Sequence, residues 1–195
     1  MADRSPPARS PKSPLSRGRG LLRRFTRAQD GAAAIEFAFV AIPFLILVFS
    51  IVELGLVFLV SMTLENALNN VDRKIRTGEF QTNGGTAASF KAAVCGQMSW
   101  LASSCPGAIT LDVRSVTTYT GTSTLTTPAA GKTCWDPGGP SSIVLVRGYY
   151  KWPLITPLMQ SAIGGTSGNR LVPFAAVFAN EPYSETPATA VTCPT

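Results

Sequence analysis

Between Ala32 and Val60 apolar residues follow one another with two charged exceptions, Glu36 and Glu53, and the stretch Phe37–Val52 has no charge at all. A segment that is apolar on every side is a helix without an aqueous face. As a helix it would run roughly 43 Å, against about 30 Å for the hydrocarbon core of a bilayer. Beyond Val60 the pattern becomes one-sided. Leu64, Leu68, Val71 and Ile75 recur at helical spacing, with Asp72, Arg73 and Arg76 on the other faces, and Gly78 is a natural stop. The pattern therefore predicts one long helix, membrane-spanning over 32–60 and amphipathic over 61–78, its stripe docking on the chain's own domain.

The remainder, 79–195, alternates element types. Gln81–Thr86 is a polar link. Ala87–Leu101 puts Phe90, Val94, Met98 and Leu101 on one helical face. Ile109–Val116 alternates in the manner of a half-buried strand, and Ser142–Trp152 and Leu171–Asn180 read as two more. Thr117–Pro140, rich in Thr, Gly and Pro, reads as a long loop or irregular hairpin. Leu154–Ile163 holds a short helix that starts near Pro157. The expected fold class is α+β, a long N-terminal helix on a small antiparallel sheet with a short extra helix.

Charge is divided unevenly. Residues 1–30 carry eight basic and two acidic side chains, and the rest of the chain carries nine of each. The net charge of +6 thus belongs to the N-terminal stretch alone. A nucleic-acid-binding domain is not expected, since the part that can fold has no excess charge. With its prolines at 6, 7, 11 and 14, the stretch 1–31 reads as a basic, disordered cytoplasmic leader. Arg23, Arg24 and Arg27 precede the apolar run and only Glu65 follows it closely, so the positive-inside bias puts the N-terminus in the cytoplasm and the C-terminal domain across the membrane. A secretory signal peptide fits poorly. Its small-residue cleavage site follows the apolar core, whereas Gly31, Ala32, Ala33 and Ala34 precede it here.

Histidine is absent, which removes Ser-His-Asp and Cys-His catalysis and every His-containing zinc site. No metal, cofactor or enzymatic role is expected. Gly164–Gly168 lacks the spacing and the lysine of a phosphate loop and reads as a turn. The four cysteines, Cys95, Cys105, Cys134 and Cys193, are dispersed, and in an exported domain they predict two structural disulfides. Spacing alone leaves three pairings open. We favour Cys95–Cys105, closing a local loop, with Cys134–Cys193, tying the long loop to the tail. Trp100, Trp135, Tyr149, Tyr150 and Trp152 offer an alternative function, a signal-anchored periplasmic or surface module of adhesin type that binds a ligand through aromatic strands. Strand aromatics serve more often in cores and interfaces.

The order basic leader, Gly31-Ala32-Ala33-Ala34-Ile35-Glu36-Phe37, apolar helix resembles the processing region of type IVb prepilins and pseudopilins. More widely, Arg23–Gly78 is similar to the TadE-like family of minor pseudopilins of tight-adherence (Tad/Flp) pilus systems. The similarity lies in Arg23-Arg24-Phe25, Asp30-Gly31, Ala34–Ala38, Pro43, Val52–Gly55 and Leu64–Ala67, and Phe174–Tyr183 resembles the family's C-terminal end. The resemblance implies a pilin-like fold and cleavage after Gly31 by a prepilin peptidase, with Ala32 as the new N-terminus. Glu36 and Phe37 would belong to the processing motif. It also implies a bacterial inner-membrane location, with membrane lipid and other pilin-like subunits as partners and helix packing as the mode of action. Glu36, Pro43 and Glu53 are the assembly candidates. In related pilins a carboxylate at the position of Glu36 pairs with the N-terminal ammonium of a neighbouring subunit. Glu53 reads instead as a snorkelling or interfacial carboxylate. Pro43 removes a hydrogen bond to the Phe39 carbonyl and should bend the helix.

Overall fold

The computed structural model describes residues 29–124, 128, 133–184 and 191–193. The expected cytoplasmic tail over 1–28 lies outside them. The chain divides into two compact units, 1–48 and 49–195. The described part of the first is the beginning of helix α1, Gln29–Arg76, which has Pro43 in its interior.

In the second unit α1 changes character in the way the hydropathy pattern predicts. Val60, Leu64, Leu68, Val71 and Ile75 are buried, while Glu65, Asn69 and Arg73 are exposed. The helix ends with Arg73, Lys74 and Arg76 in its last turn, where cations suit the exposed carbonyls. Gly78 then adopts a left-handed φ of 77° and donates its N–H to Ile75 O at 3.0 Å. The Tyr183 ring lies over it, only 2.5 Å from where a Cβ would stand. A side chain is therefore excluded by both backbone and neighbour.

The short helix α2 (Glu79–Thr82) occupies part of what reads as a polar link. Its Gln81 side chain is buried and donates to Ile75 O and Pro137 O, both at 3.1 Å. Helix α3 (Ala87–Gln97) starts at a capping box between Thr86 and Ser89 and buries Phe90 and Val94. A 3₁₀ turn at Ser99–Leu101 and the single-turn helix α4 (Cys105–Ala108) lead into the sheet.

Strands β1 (Ile109–Val116), β2 (Ile143–Pro153) and β3 (Asn169–Ala179) form an antiparallel sheet in that order, with Val113 opposite Val146 and Val146 opposite Ala176. Between β2 and β3 stand α5 (Pro157–Ile163) and a 3₁₀ turn at Gly165–Ser167. The C-terminal half of α1 lies along this sheet antiparallel to β2. Glu53 meets Ile155 just beyond the end of β2, Leu64 and Leu68 lie over Gly148, and Arg76 O accepts from Glu181 N at 2.8 Å. Gly148 permits this approach, because a Cβ there would collide with the Leu68 Cδ1 methyl.

The core is one cluster of α1, α3 and the inner sheet face, closed at one side by Phe80, Phe90 and Trp135. Phe90 and Trp135 have ring centroids 5.2 Å apart, and Phe80 meets both edge-on. Trp135 comes from the stretch that reads as irregular. Its neighbours form a short parallel bridge on β1, with Val113 N to Cys134 O and Asp136 N to Val113 O, each 2.9 Å. Two hydrogen bonds across twenty residues leave no local periodicity to read.

Candidate functional site

The first unit presents its apolar side chains outward. Phe37, Phe39, Val40, Ile42, Phe44 and Leu47 are all more than half exposed, and Phe39 reaches 76%. Glu36 is exposed beside Phe37 near the start of the helix, and Gly31 is half-buried. Among the described residues one helix, Gly31–Arg76, is long and apolar enough to cross a membrane, with a mean hydropathy of 2.6 over an 18-residue stretch. Such a surface suits single-pass anchoring, because lipid tails replace the missing protein contacts.

Glu53 ends the charge-free run and is placed differently from a carboxylate in wet headgroups. Its side chain is 4% exposed. One oxygen accepts the N–H of Ile155 and the other accepts that of Thr156, the latter at 2.9 Å. The acid thus satisfies two part-buried backbone donors that lead into α5. The domain takes hold of α1 seven residues before the expected end of the membrane segment at Val60. No sequence signal marks this contact, since the partners lie more than a hundred residues apart.

Further along, Asp72 sits on the buried side of α1, and neither carboxylate oxygen has a hydrogen-bond partner among the described residues. Burial pushes its carboxyl up to about 7. The stripe reading places Asp72 on a face other than the apolar one, and the structure corrects this: it is buried together with Leu68 and Ile75.

Comparison with known proteins bears on this same helix. Residues 31–71 are TadE-like. The match to the TadE-like protein family begins at Gly31 and takes in Glu36, Phe37, Pro43 and Glu53. The matched stretch lies within the N-terminal hydrophobic helix α1. Arg23–Asp30 and Phe174–Tyr183, which also carry the resemblance, lie outside the matched residues. No curated protein and no solved structure matches the chain.

Outside the TadE-like segment the domain is fastened by covalent and ionic ties. Cys95 is joined to Cys105, and Cys134 to Cys193. The first bridge ties α3 to α4. The second joins the β1-bridging segment to residues that pair with it, since Trp135 and Thr192 exchange hydrogen bonds of 3.0 Å. Asp112, fully buried on β1, accepts from Arg147 Nη2 at 2.7 Å, Arg114 Nε at 3.1 Å and Cys134 N at 2.8 Å. A buried acid with this many donors is paired and satisfied, and its work is structural. Sequence reading singled out none of these three charged residues. Gln81 and Asn180 both donate to Pro137 O and fix the turn before β2. Desolvation raises the Tyr183 hydroxyl, opposed by a hydrogen bond to Asn180.

The aromatic residues do not gather on one face. Trp135, Tyr149 and Tyr150 are buried, and Trp100 and Trp152 form a separate edge-on pair nearer the surface, 5.8 Å between centroids. A cleft of about 380 Å³ runs beside α3 and β1, lined by Lys91, Thr110, Thr133 and Trp135 among others, and no acid lines it.

Proposed function

We propose that this chain is a minor pseudopilin that takes part in assembly of a Tad/Flp type IVb pilus and has no catalytic role of its own. The observation that carries the reading is the coincidence of the TadE-like match, which starts at Gly31, with the one helix among the described residues that is able to cross a membrane. A prepilin peptidase cuts after Gly31, removes the basic leader and leaves the apolar helix on the mature chain. The helix anchors the protein in the inner membrane, with the disulfide-bonded domain in the periplasm.

Cleavage would create an ammonium at Ala32, with Glu36 one helical turn away as the fifth residue of the mature chain. An acid near the start of a membrane helix needs compensation. The ammonium of a neighbouring pilin-like subunit supplies it, since opposite charges attract far more strongly in low dielectric than in water. The exposed side chains of the first unit would give the lateral helix packing by which such subunits associate.

The test is the N-terminus of the protein recovered from membranes, mapped by mass spectrometry with and without active peptidase. A mature chain starting at Ala32, with Gly31→Ala held at the precursor size, is expected. An intact leader on the wild-type protein in cells with active peptidase refutes the processing step. A filament that assembles normally after deletion of the gene refutes the assembly role.

A further inference from the structure

The second unit carries exposed apolar side chains at the end of the sheet where Glu53 is gripped. Ile155 is 77% exposed and Leu158 54% exposed, on the turn leading into α5 and on α5 itself. Single exposed aliphatics are ordinary on protein surfaces. The placement of these two is what matters. The backbone N–H of Ile155 is hydrogen-bonded to Glu53, which immediately follows the charge-free apolar run. The stretch Ala32–Val52 spans about 31 Å at helical rise, close to the thickness of a hydrocarbon core. A span of that length puts Glu53 at the outer hydrocarbon boundary, and Ile155 and Thr156 must lie at the same level. Both Glu53 oxygens are occupied by protein donors, so the carboxylate does not need water there.

The surroundings match a headgroup layer. Lys151 and Arg170 are exposed at this end of β2 and β3, and no acidic residue occurs between Asp136 and Glu181. Trp152, opposite Arg170, pairs edge-on with the half-exposed Trp100. Apolar tips with cations and tryptophan beside them are the composition of an interfacial anchor on an anionic bilayer.

We propose that the turn at 154–156 and α5 form a second membrane contact, a wedge that seats Ile155 and Leu158 in the outer leaflet of the inner membrane and braces the periplasmic domain against phospholipid. The proposal rests on the anchoring reading of α1. It gives Glu53 a function: the acid fixes the wedge to the helix at the depth where the bilayer ends.

The test uses the full chain in liposomes of phosphatidylethanolamine and phosphatidylglycerol, with a nitroxide spin label at single introduced cysteines and the native disulfides intact. Accessibility to oxygen, which concentrates in lipid, is compared with accessibility to a water-soluble nickel chelate. Labels at Ile155→Cys and Leu158→Cys are expected to show an oxygen-to-nickel ratio several-fold above that at Thr117→Cys, an exposed position beyond the opposite end of β1. Phe44→Cys, in the apolar helix, serves as the reference for lipid. If Phe44→Cys reports lipid while Ile155→Cys and Leu158→Cys report water, the wedge is refuted and the anchor stands. If the latter two are shielded from both reagents, protein covers them and the wedge is refuted. If Phe44→Cys itself reports water, the anchoring reading falls and the wedge with it. In the unlabelled chain, brominated phospholipid should quench part of the tryptophan emission, and Trp100→Phe with Trp152→Phe should remove that part. Absence of quenching also overturns the proposal.

Discussion

Asp72 offers the sharpest quantitative test of the packing around α1. The residue is 4% exposed, and its carboxyl has no hydrogen-bond partner among the described residues and is raised by desolvation from 3.8 to about 7. Between those two values the native chain keeps a proton that the unfolded chain has released. Stability contributed at this site is therefore fully present below the unfolded value and is lost as pH rises through the folded one. Each unit of difference corresponds to about 1.4 kcal/mol, so the whole window is worth about 4 kcal/mol, and the portion between about pH 5 and pH 8 comes to about 2–3 kcal/mol. The perturbation is Asp72→Asn, which keeps the shape and cannot titrate. Denaturant unfolding of the full chain in detergent micelles can be followed by the emission of Trp135, which is buried in the core. Wild type should lose about 2–3 kcal/mol between those pH values, and Asp72→Asn should lose little. The comparison is between slopes, because a buried amide brings its own desolvation cost. Equal slopes for the two proteins would show that Asp72 is solvated or paired, and the account of α1 docking would be wrong at that position.

Other outcomes follow from the same contacts. Glu53→Leu strands the N–H groups of Ile155 and Thr156 and should cost about 2–3 kcal/mol, with faster hydrogen exchange at those two amides by mass spectrometry. Exchange unchanged at both would mean that the carboxylate does not hold the turn. Replacing Cys134 and Cys193 by Ser opens a loop with a sequence separation of 59, and replacing Cys95 and Cys105 opens one of 10. Chain entropy then predicts losses of about 4 and about 3 kcal/mol, to be ranked by denaturant midpoints. Gly148→Val drives a side chain into Leu64 and Leu68 and should destabilise the domain by at least about 1–3 kcal/mol in the same assay. Glu36→Gln should reduce incorporation into filaments, read by comparing the amount of mature protein in membranes with that in sheared pili.

The sequence by itself determined the long helix α1, the main helix α3, the three strands and the short helix α5, in that order along the chain apart from α5 standing before the last strand. A long apolar run cannot be soluble on any face, and a stripe at helical spacing or an alternating strand needs only local residues to be recognised. The TadE-like motif at Gly31–Phe37 is likewise contiguous. Tertiary structure decided what distant residues do to one another. Glu53 gained the backbone N–H groups of Ile155 and Thr156 as partners, and Asp72 turned from a polar-face residue into a buried one. The irregular stretch before β2 supplied Trp135 to the core and a bridge to Val113. In each case the physical reason is the same. Hydropathy reports whether a side chain prefers water, whereas hydrogen bonding and burial depend on which remote backbone arrives beside it, and that is set only when the C-terminal half of α1 lies down on the sheet.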